Sequence, residues 1–115
     1  ERYSDASDAS GTLWLDVARR AWSAEMLALT GLNTTHMPHL VEGSEVSGRL
    51  RRAVARDWGV PDGIPVAGGG GDNAAGAVGI GCVALGSAFV SLGTSGVIFV
   101  ADDAPMPDPD RTVHA

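Results

Sequence analysis

Two short stretches hold the residue types that could do chemistry. The first runs from Ile64 to Gly81. It has an apolar start at Ile64–Ala67, four glycines at Gly68–Gly71, one acid at Asp72, and then only Asn, Ala, Gly, Val and Ile. One carboxylate is thus set beside a backbone stripped of side-chain bulk. The second is Gly93-Thr94-Ser95-Gly96, a hydroxyl-bearing link between the apolar runs Ala88–Leu92 and Val97–Ala101. Glycine turns of this kind turn backbone amides toward an anion, and a strand–turn–helix places them at a helix N-terminus.

The spacing argues against a dinucleotide site. For G-x-G-x-x-G, Gly68 and Gly70 need a glycine where Asn73 stands, and Gly69 and Gly71 need one at Ala74. No acid ends a following strand to hold a ribose either. Two roles for Asp72 stay open. It could cap the helix, accepting from the amides of Ala74 or Ala75, or it could be a general base at the mouth of a cleft. A weak base suits phosphoryl transfer, in which the acceptor hydroxyl gives up its proton late. Gly93–Gly96 is likewise either a turn chosen for its conformation or a phosphate-binding hairpin. In the second case backbone amides and the Thr94 hydroxyl hold a terminal phosphate, while Gly93 and Gly96 keep Cβ atoms away. Ser95 lacks the glycine spacing of a hydrolase nucleophile.

Composition removes other chemistries. The chain has no Lys, so a Walker-A lysine, a Schiff base and a Ser-Lys pair are all ruled out. A net charge of −6 gives no basic face for nucleic acid or a membrane surface. The single cysteine, Cys82, cannot form an internal disulfide and reads as a small core residue, which fits a reducing cytoplasm. No apolar run approaches the roughly 20 residues of a bilayer span. His36 and His39, with Glu42 beyond, are interrupted by Pro38, and Asp102, Asp103, Asp108 and Asp110 lack EF-hand spacing, so no metal site is expected. Trp14, Trp22 and Trp58 read as packing residues.

The elements that must position these groups follow from period and punctuation. Glu1–Thr12 is polar and turn-rich. Leu13–Val17 predicts a strand burying Leu13, Leu15 and Val17. Ser23 caps a helix over Ala24–Leu29 that stops at Gly31. Leu32–Leu40 predicts a loop or tight helical turn, and Glu45–Leu50 a strand. Leu50, Val54 and Trp58, four apart, predict a helix stripe closed by Gly59. A turn at Pro61–Gly63 leads into a short buried central strand, the glycine turn and the small-residue helix. The two apolar runs around Gly93–Gly96 form a hairpin, and the Asp/Pro-rich tail after Ala101 is loop. This order predicts an α/β fold with a mixed sheet. The lack of an initial Met and the tail in mid-course suggest a piece of a larger protein.

Together the run Gly69–Gly79 and the hairpin Ser91–Val97 resemble the FGGY carbohydrate kinases, with supporting matches in Ser7–Arg20 and Glu42–Gly48. The string Asp72–Gly79 looks most like the branch that phosphorylates xylulose. The resemblance implies a ribonuclease-H/actin-like two-domain sugar kinase fold, a mixed sheet with flanking helices. It places residues 1–81 at the end of the N-terminal domain and 82–115 at the first hairpin of the C-terminal one. It implies ATP-dependent conversion of D-xylulose to D-xylulose 5-phosphate with Mg²⁺, in the cytoplasm, with no nucleic-acid or membrane partner, and it allows a homodimer of the full-length protein. Asp72 matches the catalytic aspartate that takes the proton of the sugar hydroxyl, and Asn73 lies near the transferring group. Gly93, Thr94, Ser95 and Gly96 match the hairpin that contacts ATP phosphates. The family's other phosphate hairpin, most sugar contacts and the adenosine segment have no counterpart here, so the 115 residues alone are expected to be inactive. Alternatives are another FGGY kinase acting on a different polyol or ketose, a non-catalytic sugar- or nucleotide-binding member, and a small structural domain in which Asp72 is only a cap.

Overall fold

The computed structural model describes residues 2–106 and 108–110. Its first feature departs from expectation. The polar N-terminal stretch forms β1 (Tyr3–Asp5), which runs directly into α1 (Ala6–Ser10). β1 lies parallel to β4 (His39–Val41), pairing Tyr3 with His39 and Asp5 with Val41. Leu32–Leu40, which runs into β4, was expected to be a loop or tight helical turn, because a three-residue strand shows no period until its distant partner is known.

Between them, β2 (Leu15–Asp16) and β3 (Ala21–Trp22) pair antiparallel. Leu13 has φ +64° and is 68% exposed, so the expected strand shrinks and buries Leu15 alone. α2 (Ala24–Leu29) forms as expected. The Ser23 hydroxyl accepts from the Met26 amide at 3.2 Å, and Gly31 follows in the left-handed region. Its Leu27 is the largest fully buried side chain among the described residues. A single 3-10 turn, Thr34–His36, leads to Pro38, whose carbonyl accepts from the Trp22 indole at 2.9 Å.

β5 (Val46–Arg49) pairs antiparallel with β6 (Pro65–Ala67), with a bulge between Val46 and Gly48. α3 (Arg52–Trp58) connects them and ends at Gly59, φ +68°. The expected stripe is not its buried face. The helix begins after Leu50, Trp58 is 69% exposed, and the small Ala55 turns inward instead. β6 was expected to be a buried central strand, yet all three of its residues are exposed. α4 (Asp72–Gly79) follows the glycine turn. β7 (Ala88–Leu92) and β8 (Gly96–Val100) form the expected hairpin, in register from Ala88↔Val100 to Leu92↔Gly96, with the Phe89 and Phe99 rings stacked at 5.1 Å. Cys82 is buried, its Sγ 3.5 Å from Ser87 Oγ. Residues 102–106 and 108–110 carry no helix or strand. Pro107 and residues 111–115, part of the expected tail loop and second-domain segment, lie outside the described residues.

Among the described residues strand pairing is therefore of both kinds, spread over four two-stranded ladders. The buried apolar residues are mostly small: Ala9, Leu15, Leu27, Ala55, Ala77 and Cys82. The accessible surface is 8574 Å², against about 5,900 Å² for a compact monomer of this mass. The radius of gyration is 16.9 Å, against about 13 Å for a compact domain of this length. Among the described residues no helix is long and apolar enough to cross a membrane.

Candidate functional site

The four glycines let the chain pass close to the Glu42–Glu45 loop before α4 begins. A Cβ on Gly68 would sit 2.6 Å from the Glu42 carbonyl and 2.9 Å from Val41 Cγ2, and Gly69 has φ +97°. Two backbone bonds fix the approach: the Gly68 amide to the Glu45 carbonyl at 2.8 Å, and the Gly69 amide to the Gly43 carbonyl at 3.1 Å. Gly71, not Asp72, is the N-cap of α4, and its carbonyl accepts from the Ala75 amide at 2.8 Å.

Asp72 is thus the first residue of the helix. Its Oδ1 accepts from the Asn73 amide at 2.8 Å. Among the described residues it accepts no bond from the Ala74 or Ala75 amide, as a helix cap would, and the Ala75 amide goes to the Gly71 carbonyl instead. The carboxylate is exposed on a cleft of about 430 Å³. The same cleft is lined by Asn73, by Ser7, Asp8 and Gly11 from around α1, and by Phe99 of β8. A carboxylate in the first turn is also where the helix dipole favours negative charge. A second cleft of about 620 Å³ is lined by Gly69, Gly70, Ala74 and Ala75 of the same turn and helix. The Arg20–Glu42 fork stands at its wall, with Arg20 Nη2 donating to both Glu42 oxygens at 2.6 Å.

The hairpin tip is not brought into either cleft; Gly93, Thr94, Ser95 and Gly96 are exposed, and only Phe99 of the hairpin reaches the Asp72 wall. The Gly93 amide donates to the Ser95 carbonyl at 2.9 Å, so it is engaged within the loop. Neither Gly93 nor Gly96 has a positive φ, and a Cβ on either would meet only ordinary contacts at 3.6 Å or more. The turn's conformation does not demand them.

Among the described residues no group of three or more His, Cys, Asp or Glu is arranged to hold a metal. His36 Nδ1 accepts from the Asn33 amide at 3.2 Å, and the His39 ring faces Tyr3 with centroids 5.7 Å apart. Sequence reasoning missed Asp5 and Ser7. Asp5 is 6% exposed and caps α1, accepting from the Ser7 amide at 2.9 Å, the Asp8 amide at 3.2 Å and the Ser7 hydroxyl. Burial alone would raise its pKa, but these donors outweigh it and hold the carboxyl below its ordinary value. The available signal was an Asp before a helix with an acid in its first turn.

Comparison with known proteins identifies the setting. Residues 1–79 match the N-terminal domain of the FGGY family of carbohydrate kinases. Over its whole length the chain is 56% identical to a xylulose kinase of Klebsiella pneumoniae, of which it covers 24%; it spans about a quarter of the curated relatives it matches. A solved structure described as a xyloylose kinase from Brucella ovis superposes with a TM-score of 0.93 at 56% identity, over 99% of this chain and 24% of that one. A gluconate kinase from Lactobacillus acidophilus shares the fold at a TM-score of 0.85 and 21% identity, over 94% of this chain and 22% of that one. The architecture is that of the α/β, actin-like sugar kinases. With a family match over more than half its residues, the chain belongs to the FGGY family of carbohydrate kinases.

Proposed function

We propose that this chain is the part of an ATP-dependent ketose kinase that carries the catalytic base, Asp72, and that the whole protein converts D-xylulose to D-xylulose 5-phosphate. The observation that carries this is the state of Asp72: first in its helix, held only by the neighbouring amide, and open to a cleft. The substrate assignment draws on the 56% identity to a xylulose kinase. Asp72 would orient the acceptor hydroxyl and take its proton as the oxygen attacks the γ-phosphorus of ATP, with ADP leaving. Asn73, on the same wall, would contact the sugar beside the transferring group.

Thr94 and Ser95, with their exposed hydroxyls, would meet the ATP phosphates once the two domains close. Gly93 and Gly96 would serve by leaving room, since the turn itself does not need them. Closure would also exclude water and so limit ATP hydrolysis. The Mg²⁺ that accompanies ATP neutralises phosphate charge. Asp8, on the cleft wall beside Asp72, would be the carboxylate to approach that ion, leaving Asp72 free to accept the proton. In this arrangement residues 1–81 end the N-terminal domain and 82–115 begin the C-terminal one, in a cytoplasmic enzyme.

The test is Asp72→Asn in the full-length protein. Amide for carboxylate keeps the helix start but cannot accept the proton, so kcat should fall roughly 10³-fold with the thermal midpoint little changed. Unchanged turnover sinks the assignment. A kcat/KM panel of ketoses, polyols and gluconate decides the sugar. A wild type that binds ATP and sugar without turnover would instead be a sensor.

A further inference from the structure

The Asp72 turn is tied to a remote part of the chain by one side chain. The amide of Gly71, directly before Asp72, donates to Ser7 Oγ at 2.8 Å across 64 positions of sequence. Ser7 Oγ in turn bonds Asp5 Oδ1. The direction of that pair follows from valence. An ionised carboxylate only accepts, so the single hydroxyl proton points to Asp5 and the oxygen lone pairs are left for the Gly71 amide. Asp5 is itself nearly enclosed, and its strand is fixed by pairing with β4. Gly71 also packs on α1, where a Cβ would stand 3.4 Å from Asp8 Cα.

We propose that Asp5 and Ser7 are positioning residues for the phosphoryl transfer: Ser7, oriented by Asp5, holds the Gly71 amide and so sets the direction in which the Asp72 carboxylate leaves its turn. The proposal rests on the kinase reading above. A helix cap for α1 does not need the Ser7 hydroxyl, because Asp5 already accepts from the amides of Ser7 and Asp8. The hydroxyl is the part of the arrangement that reaches α4. Its removal therefore separates positioning from capping.

The experiment compares Ser7→Ala, Ser7→Thr and Asp72→Asn in the full-length protein, with D-xylulose and ATP as substrates. Thermal midpoints and amide hydrogen exchange of Gly71 are measured alongside kinetics. Ser7→Ala should lower kcat roughly tenfold, as small misplacements of a reacting group do, with both KM values within about twofold and the midpoint nearly unchanged. Gly71 exchange should quicken about tenfold, and Ser7→Thr, which keeps the hydroxyl, should restore both readouts. Unchanged kcat in Ser7→Ala beside an inactive Asp72→Asn overturns the proposal. So does a loss of folded protein that accounts for all the lost activity, or a failure of Ser7→Thr to rescue. If the wild type does not phosphorylate any sugar, the kinase reading fails and the catalytic role assigned to Ser7 falls with it; faster Gly71 exchange in Ser7→Ala would then still show the clamp as a structural tie.

Discussion

A nearly enclosed carboxylate keeps its charge only if donors replace the water it loses, and Asp5 has two amides and a hydroxyl to do so. Because its pKa is lowered in the fold, the native state binds that proton more weakly than the unfolded chain. The stabilisation is therefore complete above the ordinary carboxylate range and is lost as pH falls through the lower, folded value. The stability gap between wild type and Asp5→Asn, followed by thermal melts, should hold from neutral pH to about 5 and close below about 4. A gap that stays constant into acid would contradict this. Gly93 makes the opposite kind of case, a residue the local fold does not require. Gly93→Ala should shift stability by less than about 0.5 kcal/mol yet raise the KM for ATP roughly tenfold, the scale of one disturbed hydrogen bond. Asp72 and this hairpin were legible because glycines and a lone acid stand out locally. Ser7 was not, because its meaning lies in a bond to Gly71 that no local pattern encodes.

At the level of elements, what could be read depended on how local the stabilising interactions are. α2 announced itself through Ser23 and Gly31, α3 through its Gly59 stop, and β7–β8 through two apolar runs around a short link. β1 and β4 gave no such sign, since each is three residues long and acquires its pairing only from the other. Trp58 was misjudged because a four-residue spacing marks one face of a helix without saying which face packs, and here Ala55 is buried while Trp58 is exposed. The meeting of the glycine turn with the Glu42–Glu45 loop is also non-local, and at Gly68 it sets backbone against backbone. Gly68→Ala should cost about 1–3 kcal/mol, as overpacking against immobile backbone does. Denaturant unfolding measures this, and an unchanged midpoint would show that the loop yields.

For the whole molecule the governing fact is uncovered surface. Val90, Leu92, Ile98 and Val100 on the hairpin are between 58% and 84% exposed, and each two-stranded ladder leaves edges that other strands could pair. The isolated 115 residues should bind a hydrophobic dye, associate as concentration rises, and release no ADP from ATP and xylulose. A monomer that melts cooperatively, or one that turns over, contradicts this. α4 carries the same dependence inward. It has eight residues, two of them glycine, whereas an isolated helix needs about 12–15 good formers to hold in water, and each interior Gly costs about 1 kcal/mol against Ala. The acid's orientation is therefore not portable. Grafted onto another scaffold, Gly68–Gly81 would arrive without its helix. A recombination breakpoint anywhere between Ser10 and Gly68 would join the acid to a first segment that had not been selected with it, so the two stretches make one heritable unit despite their distance along the gene.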